Sequence, residues 1–171
     1  MKNEHEELKI RISGLSNGVH EYHFHASPSE VGLDEAFRSP VSLDVEIEKS
    51  ARQIYLKSEI AASGSFTCDR CLEDFEKTVA SSLNLFYVFS DAEAEQFDAD
   101  EVRVIAPETM HLDITDDVRQ SILLAVPLKL LCTDECKGLC PHCGVNWNRE
   151  TCVCCETHDT DPRWESLKKI L

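Results

Sequence analysis

The sequence predicts an α+β protein in which a mainly antiparallel β sheet, barrel-like or sandwich-like, precedes one central helix and a cysteine-rich zinc ribbon. Three observations support this prediction. Apolar and polar residues alternate over several short segments in the first two-thirds of the chain, as they do in half-buried strands. One later segment repeats apolar residues every four positions, which is typical of an amphipathic helix. Seven of the nine cysteines then lie within residues 132–155.

The alternating pattern predicts a series of strands in the first part of the chain. It covers residues 8–12, 41–48, 54–62 and 83–89, and a shorter apolar segment follows at 102–105. Glycine and proline residues separate the first of these segments. Because no crossover helix pattern lies between them, we expect the strands to pair in antiparallel fashion. Residues 90–101 are strongly acidic and are predicted to form a loop, since dense like charge opposes packing.

The central helix is predicted over residues 115–126. Its apolar stripe has members at a spacing of four and one further leucine: Ile114, Val118, Ile122, Val126 and Leu123. Pro127 ends the helix. We therefore divide the chain into a β-rich acidic domain, residues 1–126, and a cysteine-rich zinc-binding segment, residues 127–171. A short terminal helix is predicted to begin at Pro162, since proline is favoured at the first helical position.

Charge and hydropathy limit the classes of function. The first 120 residues carry 25 acidic and 11 basic residues, so nearly all of the net charge of −15 lies there. Such a surface repels a phosphate backbone and favours a basic protein partner, although acidity also serves solubility alone. The N-terminus lacks the apolar core of a signal peptide, and no apolar run reaches the ~18 residues of a membrane span. We therefore expect a cytoplasmic protein without a membrane partner.

Motifs of common catalytic sites are missing from the sequence. It contains no GxSxG, no P-loop, no HExxH and no glycine-rich dinucleotide fingerprint. We therefore expect no enzyme activity, no catalytic residues and no small-molecule substrate.

The cysteines predict metal binding. Cys68 and Cys71 form a C-x-x-C pair, and Cys140 and Cys143 form another whose turn is shaped by proline and glycine. In a reducing compartment, clustered thiols favour zinc over disulfides. Nine thiols divide into two four-sulfur sites with one left over. The sites predicted are Cys68, Cys71, Cys132 and Cys136, and Cys140, Cys143, Cys152 and Cys154.

Several alternatives to this allocation remain open. Cys155 is an alternative to Cys154 as the fourth ligand of the second site, because Cys152 and Cys155 have the commoner C-x-x-C spacing. We expect one or two zinc ions per chain. His142 or His158 could replace a cysteine as a ligand. Closed four-cysteine sites are structural, whereas catalytic zinc keeps an exchangeable position. Cys68 and Cys71 could instead be unliganded thiols or a thiol redox pair.

Direct RNA binding by the ribbon is a separate hypothesis. It would use basic and aromatic residues of the C-terminal segment as RNA or partner contacts. These are Lys137, Arg149, Lys168 and Trp147.

Taken in order along the chain, these motifs resemble those of the YceD family, the large ribosomal RNA subunit accumulation proteins. The motifs are Cys68-Asp69-Arg70-Cys71-Leu72, the segment from Leu130 to Asn148, Cys152-x-Cys154 and Asp161-Pro162-Arg163-Trp164. The resemblance implies a role in synthesis, processing or accumulation of large-subunit (23S) ribosomal RNA without enzyme activity. It implies that the family's paired cysteines correspond to Cys68 and Cys71, and its C-terminal cysteine set to Cys132, Cys136, Cys140, Cys143, Cys152 and Cys154. We expect a ribosomal protein or pre-ribosomal RNA as the partner. Trp147 stands where the family pattern often has leucine, and Cys155 is an addition.

Overall fold

The computed structural model describes residues 8–156, which form two compact units. Residues 8–66 and Phe75–Leu128 form the first unit, and Thr67–Asp74 with residues 129–156 form the second. The second unit thus takes in a short loop from the middle of the chain as well as the cysteine-rich segment. The predicted terminal helix at Pro162 lies outside the described residues.

The secondary structure is dominated by strands. In chain order the elements are β1 (Lys9–Arg11), β2 (Gly18–Ala26), α1 (Pro28–Val31), β3 (Val41–Lys49), β4 (Gln53–Thr67), β5 (Asp74–Val88), α2 (Asp91–Ala94), β6 (Val102–Val104), β7 (His111–Asp113) and α3 (Thr115–Ala125), followed by a 3-10 turn at Val153–Glu156. Strands β2 to β6 form a five-stranded sheet in that order, and β1 pairs with β7 in a separate two-stranded sheet. The prediction of a sheet-rich α+β fold is confirmed, although the larger sheet is open and does not close into a barrel.

Period-two alternation places one face of the larger sheet in the core. In β3, Val41 and Ile47 are fully buried, whereas Asp44 and Glu46 between them are exposed. Strand β4 repeats this pattern, with Leu56 buried and its neighbours less so. Side chains on one face of a strand recur every second residue, so the buried face follows directly from the sequence.

Helix α3 contributes a second part of the core. Val118 and Ile122 are completely buried, as is Ile114 just before the helix. The predicted stripe was too wide, because Leu123 is 41% exposed. Successive helical residues are about 100° apart, and Leu123 therefore turns away from the face that Ile122 buries. Among the described residues, no helix is both long enough and apolar enough to cross a lipid bilayer.

Two details differ from the expectation of an antiparallel sheet and an acidic loop. Strand β6 pairs with β5 in parallel, whereas β2, β3 and β4 pair in antiparallel fashion. Residues 89–101 return the chain along the sheet, as a parallel connection requires. This acidic segment contains α2, and the ring of Phe97 stacks on Phe86 with 4.5 Å between centroids. The prediction that the whole acidic segment forms a loop was therefore wrong in part, because Phe97 packs against Phe86 of β5.

Candidate metal centres

Four thiols of the second unit converge at the first candidate centre. Cys68 and Cys71 lie in the loop between β4 and β5, and Cys132 and Cys136 lie in the C-terminal segment. The Sγ atoms of Cys68 and Cys136 are 3.8 Å apart, and those of Cys71 and Cys132 are 3.7 Å apart. A disulfide requires about 2.05 Å. Four sulfurs bound tetrahedrally to zinc at ~2.3 Å are separated by about 3.8 Å, so the donor set fits zinc.

The second candidate centre combines the other C-x-x-C pair with two later thiols. All four sulfurs of Cys140, Cys143, Cys152 and Cys154 lie within 4.8 Å of one another, and those of Cys140 and Cys154 are 3.9 Å apart. Cys140 is buried, whereas Cys143 is exposed. The structure thus brings together the same two sets of four thiols that the spacing suggests. The side chain of Cys155 and all of His158 lie outside the described residues, and His142 belongs to neither group.

The two C-x-x-C loops share a backbone conformation. In the first loop, the N–H of Cys68 donates to the carbonyl of Glu73, and the N–H of Leu72 donates to the carbonyl of Cys68, each at 2.9 Å. In the second loop, the N–H of Gly144 donates to the carbonyl of Cys140 at the same distance. The residue after the second cysteine has a positive φ in both loops, 59° at Leu72 and 74° at Gly144. Each loop therefore folds the chain so that its two sulfurs point to one place.

Leu72 adopts this left-handed conformation although it is not a glycine. For a residue with a Cβ atom, this backbone conformation costs about 1–2 kcal/mol relative to a right-handed one. The side chain of Leu72 is 66% exposed and so gains little from burial. We expect Leu72→Gly to raise the free energy of unfolding by about 1 kcal/mol, the relief of strain being partly offset by the greater freedom of glycine in the unfolded chain. Denaturant titration of the zinc-loaded protein measures the change.

Gly144→Ala is the matched control in the second loop. No atom lies within 4 Å of the position that its Cβ would take, so the substitution adds backbone strain without a steric clash. It should lower the free energy of unfolding by about 1 kcal/mol. Unchanged stability of the Leu72→Gly protein would contradict the presence of strain at Leu72.

Two side chains donate hydrogen bonds to sulfur atoms. Nδ2 of Asn148 donates to Sγ of Cys136 at 3.2 Å, and Nε1 of Trp147 donates to Sγ of Cys152 at 3.3 Å. Asn148 is held in place because its Oδ1 accepts the backbone N–H of Lys137 at 2.8 Å. Donors of this kind stabilise thiolate charge and orient a metal ligand. Adjacent residues of one short segment therefore support a ligand in each centre.

Electrostatics divide the thiols of the first centre. Burial raises the pKa of Cys68, but the backbone N–H groups of Cys71, Cys132 and Arg70 outweigh it and lower the pKa to about 6. The N–H of Glu73 lowers the pKa of Cys71, but burial and hydrogen bonds with the neighbouring thiols raise it to about 12. Sulfurs this close cannot all ionise on their own, whereas a divalent cation would let all four act as thiolates.

The second centre shows the same division. The backbone N–H of Cys143 is the main cause that lowers the pKa of Cys140 to about 5, against the opposing effect of burial. Hydrogen bonds with Cys143 and Cys152 raise the pKa of Cys154 to about 12. Backbone N–H groups therefore favour the thiolates of Cys68 and Cys140. Burial raises the pKa of Cys136, but the hydrogen bonds from Asn148 and the backbone of Gly138 outweigh it and lower that pKa too. A bound cation would let the remaining thiols ionise.

The residues predicted as RNA or partner contacts have varied surroundings. Lys137 is exposed. Nη2 of Arg149 forms an ion pair with Oε2 of Glu73 at 2.9 Å, and Trp147 is half-buried with its indole N–H on Cys152. Lys168 lies outside the described residues. The sequence did not predict that Asn148 donates a hydrogen bond to a cysteine sulfur. The feature that could have indicated this role was the position of Asn148 in the motif that follows Gly144.

Comparison with known families decides which family this chain belongs to. A model of the family described as "Large ribosomal RNA subunit accumulation protein YceD" matches residues 56–171, which include every cysteine of both candidate centres. This chain belongs to the YceD family. The resemblance that the motifs indicated is therefore confirmed, and the YceD match covers most of the larger sheet as well as the cysteine-rich segment.

Relatives of the chain include both bacterial and plant proteins. Mycobacterium tuberculosis Rv2926c is 29% identical over 150 residues, which cover 85% of this chain and 70% of the relative. Bacillus subtilis YlbN is 27% identical over 137 residues, 78% of this chain and 75% of the relative. A chloroplastic large ribosomal RNA subunit accumulation protein, YCED homolog 1 of Arabidopsis thaliana, is 22% identical over 68% of this chain and 44% of its own length. No solved structure matches the chain significantly.

Proposed function

We propose that this YceD-family chain is a non-catalytic zinc-binding factor that supports synthesis, processing or accumulation of large-subunit (23S) ribosomal RNA in the cytoplasm. The family match over residues 56–171 carries the proposal. In this proposal, residues 1–126 would bind a basic ribosomal partner. Residues 127–171, together with Cys68 and Cys71, would bind two zinc ions.

The ligand chemistry supports a structural role for zinc. Each candidate centre offers four sulfurs, and Zn²⁺ with four cysteine ligands has no position left for water or substrate. Such a site stabilises a fold and does not activate a water molecule. The described residues of the second unit are few for a hydrophobic core, so metal binding would supply much of its folding free energy.

The exposed side of the larger sheet supports a basic partner. It carries an acidic face made of five exposed carboxylates: Glu21, Asp44, Glu46, Glu48 and Glu59. Glu21 lies directly opposite Glu46, and Asp44 lies directly opposite Glu59. Like charges in cross-strand pairs destabilise a sheet by roughly 0.2–1 kcal/mol each. Lys57 and His23 offset this only in part, through Glu59 at 3.9 Å and Asp44 at 2.6 Å.

A basic protein suits this face better than RNA does. Binding to RNA draws largely on cationic side chains that replace counterions of the phosphates, and carboxylates oppose it. In the second unit, Arg149 is paired with Glu73 and Trp147 donates to Cys152, so two of the predicted RNA contacts already have partners. We therefore favour a basic ribosomal protein over pre-ribosomal RNA as the direct partner.

A strain that lacks its own copy of the gene tests the proposed function. We expect the ratio of 23S to 16S ribosomal RNA to fall in the deletion strain and to return when this chain is expressed from a plasmid. Quantification of both RNAs during exponential growth measures the ratio, and an empty plasmid is the control. A ratio that stays unchanged after deletion would show that the chain has a different function.

A further inference from the structure

The five-stranded sheet has two edge strands that differ greatly in length. Strand β6 has three residues, whereas strand β2 has nine. Strand β2 pairs with β3 without interruption from Gly18, opposite Lys49, to Ala26, opposite Val41. Within residues 8–156, the backbone of β2 forms hydrogen bonds with β3 alone. The N–H and C=O groups that point away from β3 therefore have no backbone partner in the described part of the chain.

Strand β2 lacks the features that usually protect a sheet edge. Soluble proteins shorten an edge strand, interrupt it with a bulge or a proline, or place lysine on it, because an open edge otherwise pairs with another strand. Strand β2 contains neither proline nor lysine, and its register shows no bulge. A long, regular edge of this kind is what β-strand addition requires, since an extended segment of a partner then joins the sheet through main-chain hydrogen bonds.

The side chains of β2 give its two faces different chemistry. Glu21 is exposed on the acidic face, directly opposite Glu46. Tyr22 and Phe24 lie on the core face, but they are only half-buried, and their rings stack with 6.1 Å between centroids. Side chains of an added strand alternate in the same way, so one of its faces would meet carboxylates and the other would meet aromatic rings. The edge therefore fits a segment in which basic and apolar residues alternate.

Charge decides between a basic partner and a second copy of this chain. A hollow of about 280 Å³ on the acidic face is lined by Glu21 and three further carboxylates, by His23 and by Lys57. Basic side chains of an added strand would lie beside Glu21 and gain from this negative charge. Two copies of this chain would instead bring together strands that each carry Glu21, on chains with a net charge of −15 each. Repulsion between the copies disfavours such a dimer.

We propose that β2 binds an extended segment of the basic partner by β-strand addition, and that basic and apolar residues alternate in this segment. The basic character of the partner rests on the proposed function, whereas the pairing with β2 follows from the open edge. The added strand extends the sheet beyond β2 and forms main-chain hydrogen bonds with it. Its basic side chains lie beside Glu21, and its apolar side chains cover Tyr22 and Phe24.

The test is hydrogen exchange measured by NMR on the zinc-loaded full chain with a saturating eight-residue peptide in which lysine and valine alternate. We expect alternate amides of β2, those that do not pair with β3, to exchange at least tenfold more slowly. Amides of β6, the other edge strand, should exchange as before. The control is a peptide of the same composition whose lysines all precede its valines, and it should leave exchange in β2 unchanged.

Two N-methylated peptides test the main-chain pairing itself. In an added strand, the N–H groups that face β2 belong either to all the lysines or to all the valines. One peptide is methylated on the lysine nitrogens of the main chain, and the other on those of the valines. Only one of the two should lose affinity, by at least tenfold, because several hydrogen bonds are lost together. Equal affinities of the two peptides would overturn strand addition.

A charge reversal on the chain tests the preference for a basic segment. Glu21→Lys should weaken binding of the alternating peptide about fivefold, because repulsion replaces attraction beside the added strand. Glu108→Lys changes the net charge equally at an exposed position outside the sheet, and it should bind the peptide like the parent. Equal weakening by both substitutions would show that net charge alone attracts the peptide, and the assigned site would be wrong.

Other outcomes separate this inference from the proposed function. Unchanged exchange in β2 at saturating peptide would overturn strand addition while leaving intact the proposed binding of a basic partner to the acidic face. Slow exchange of every β2 amide before peptide is added, in a chain that native mass spectrometry shows to be dimeric, would mean that a second copy covers the edge. That result would also overturn the proposal. If the ratio of 23S to 16S RNA is unaffected by gene deletion, the proposed function fails even where the peptide pairs with β2.

Discussion

Replacing Cys68 with serine should lower the zinc content of the purified protein from two ions per chain to one. Four thiolates hold a structural zinc ion with an apparent binding free energy of ~10–16 kcal/mol, so loss of one ligand should weaken binding by about 3 kcal/mol, or at least 100-fold. Native mass spectrometry before and after addition of a chelator counts the ions. The second centre should stay loaded, because its four sulfurs are a separate set.

Two further variants make this count decisive. Cys143→Ser should remove the other ion, and Cys155→Ser should leave both ions in place. Loss of an ion from the Cys155→Ser protein would show that Cys155, and not Cys154, is the fourth ligand of the second centre. One ion in both the parent and the Cys68→Ser protein would show that the first set of thiols does not bind zinc. Cys68 and Cys71 would then become candidates for thiol redox chemistry.

The core of the larger sheet could be predicted because a strand's side-chain pattern is local. Val41 and Ile47 lie on the buried face for the same reason that Glu46 lies outside, since the direction of a side chain alternates along the strand. The parallel pairing of β6 with β5 could not be predicted in this way, because it depends on the path of residues 89–101. Phe97 offered a weak signal, as an aromatic residue within an acidic segment.

The candidate centres were partly visible in the sequence. Spacing alone suggests which cysteines share a turn, because a C-x-x-C loop brings its own two sulfurs together. The hydrogen bond from Asn148 to Cys136 could not be inferred, since it depends on where the chain returns after Gly144. The left-handed backbone of Leu72 was likewise hidden, although the glycine at the same position of the second loop was a signal for it.

The surroundings of Tyr87 show a further limit of prediction from the sequence. Alternation correctly places Tyr87 on the buried face of β5. Whether its hydroxyl finds a partner depends on β6, β7 and α3, which only the folded chain assembles. The partners of such a group therefore require the structure, whereas the two sets of cysteines could be grouped from their number and spacing.

Neutralising part of the acidic face should separate stability from function. In the double variant Glu21→Gln and Glu46→Gln, a like-charged cross-strand pair disappears, so the free energy of unfolding should rise by about 0.5 kcal/mol. If the face binds a basic ribosomal protein, the same variant should restore the ratio of 23S to 16S RNA poorly in the deletion strain. Urea unfolding and RNA quantification measure the two effects on the same protein.

The matched control is the double variant Glu95→Gln and Glu108→Gln, which changes net charge equally at exposed positions outside the acidic face. It should restore the RNA ratio as fully as the parent chain does, because steering by overall charge is then nearly the same. Full restoration by the Glu21 and Glu46 variant as well, despite its greater stability, would show that the face is only solvated. Equal loss in both double variants would instead mean that net charge acts through long-range attraction. A defect in the Glu21 and Glu46 variant alone would mean that the face is needed for binding. The like-charged cross-strand pair would then be retained for binding although it lowers stability.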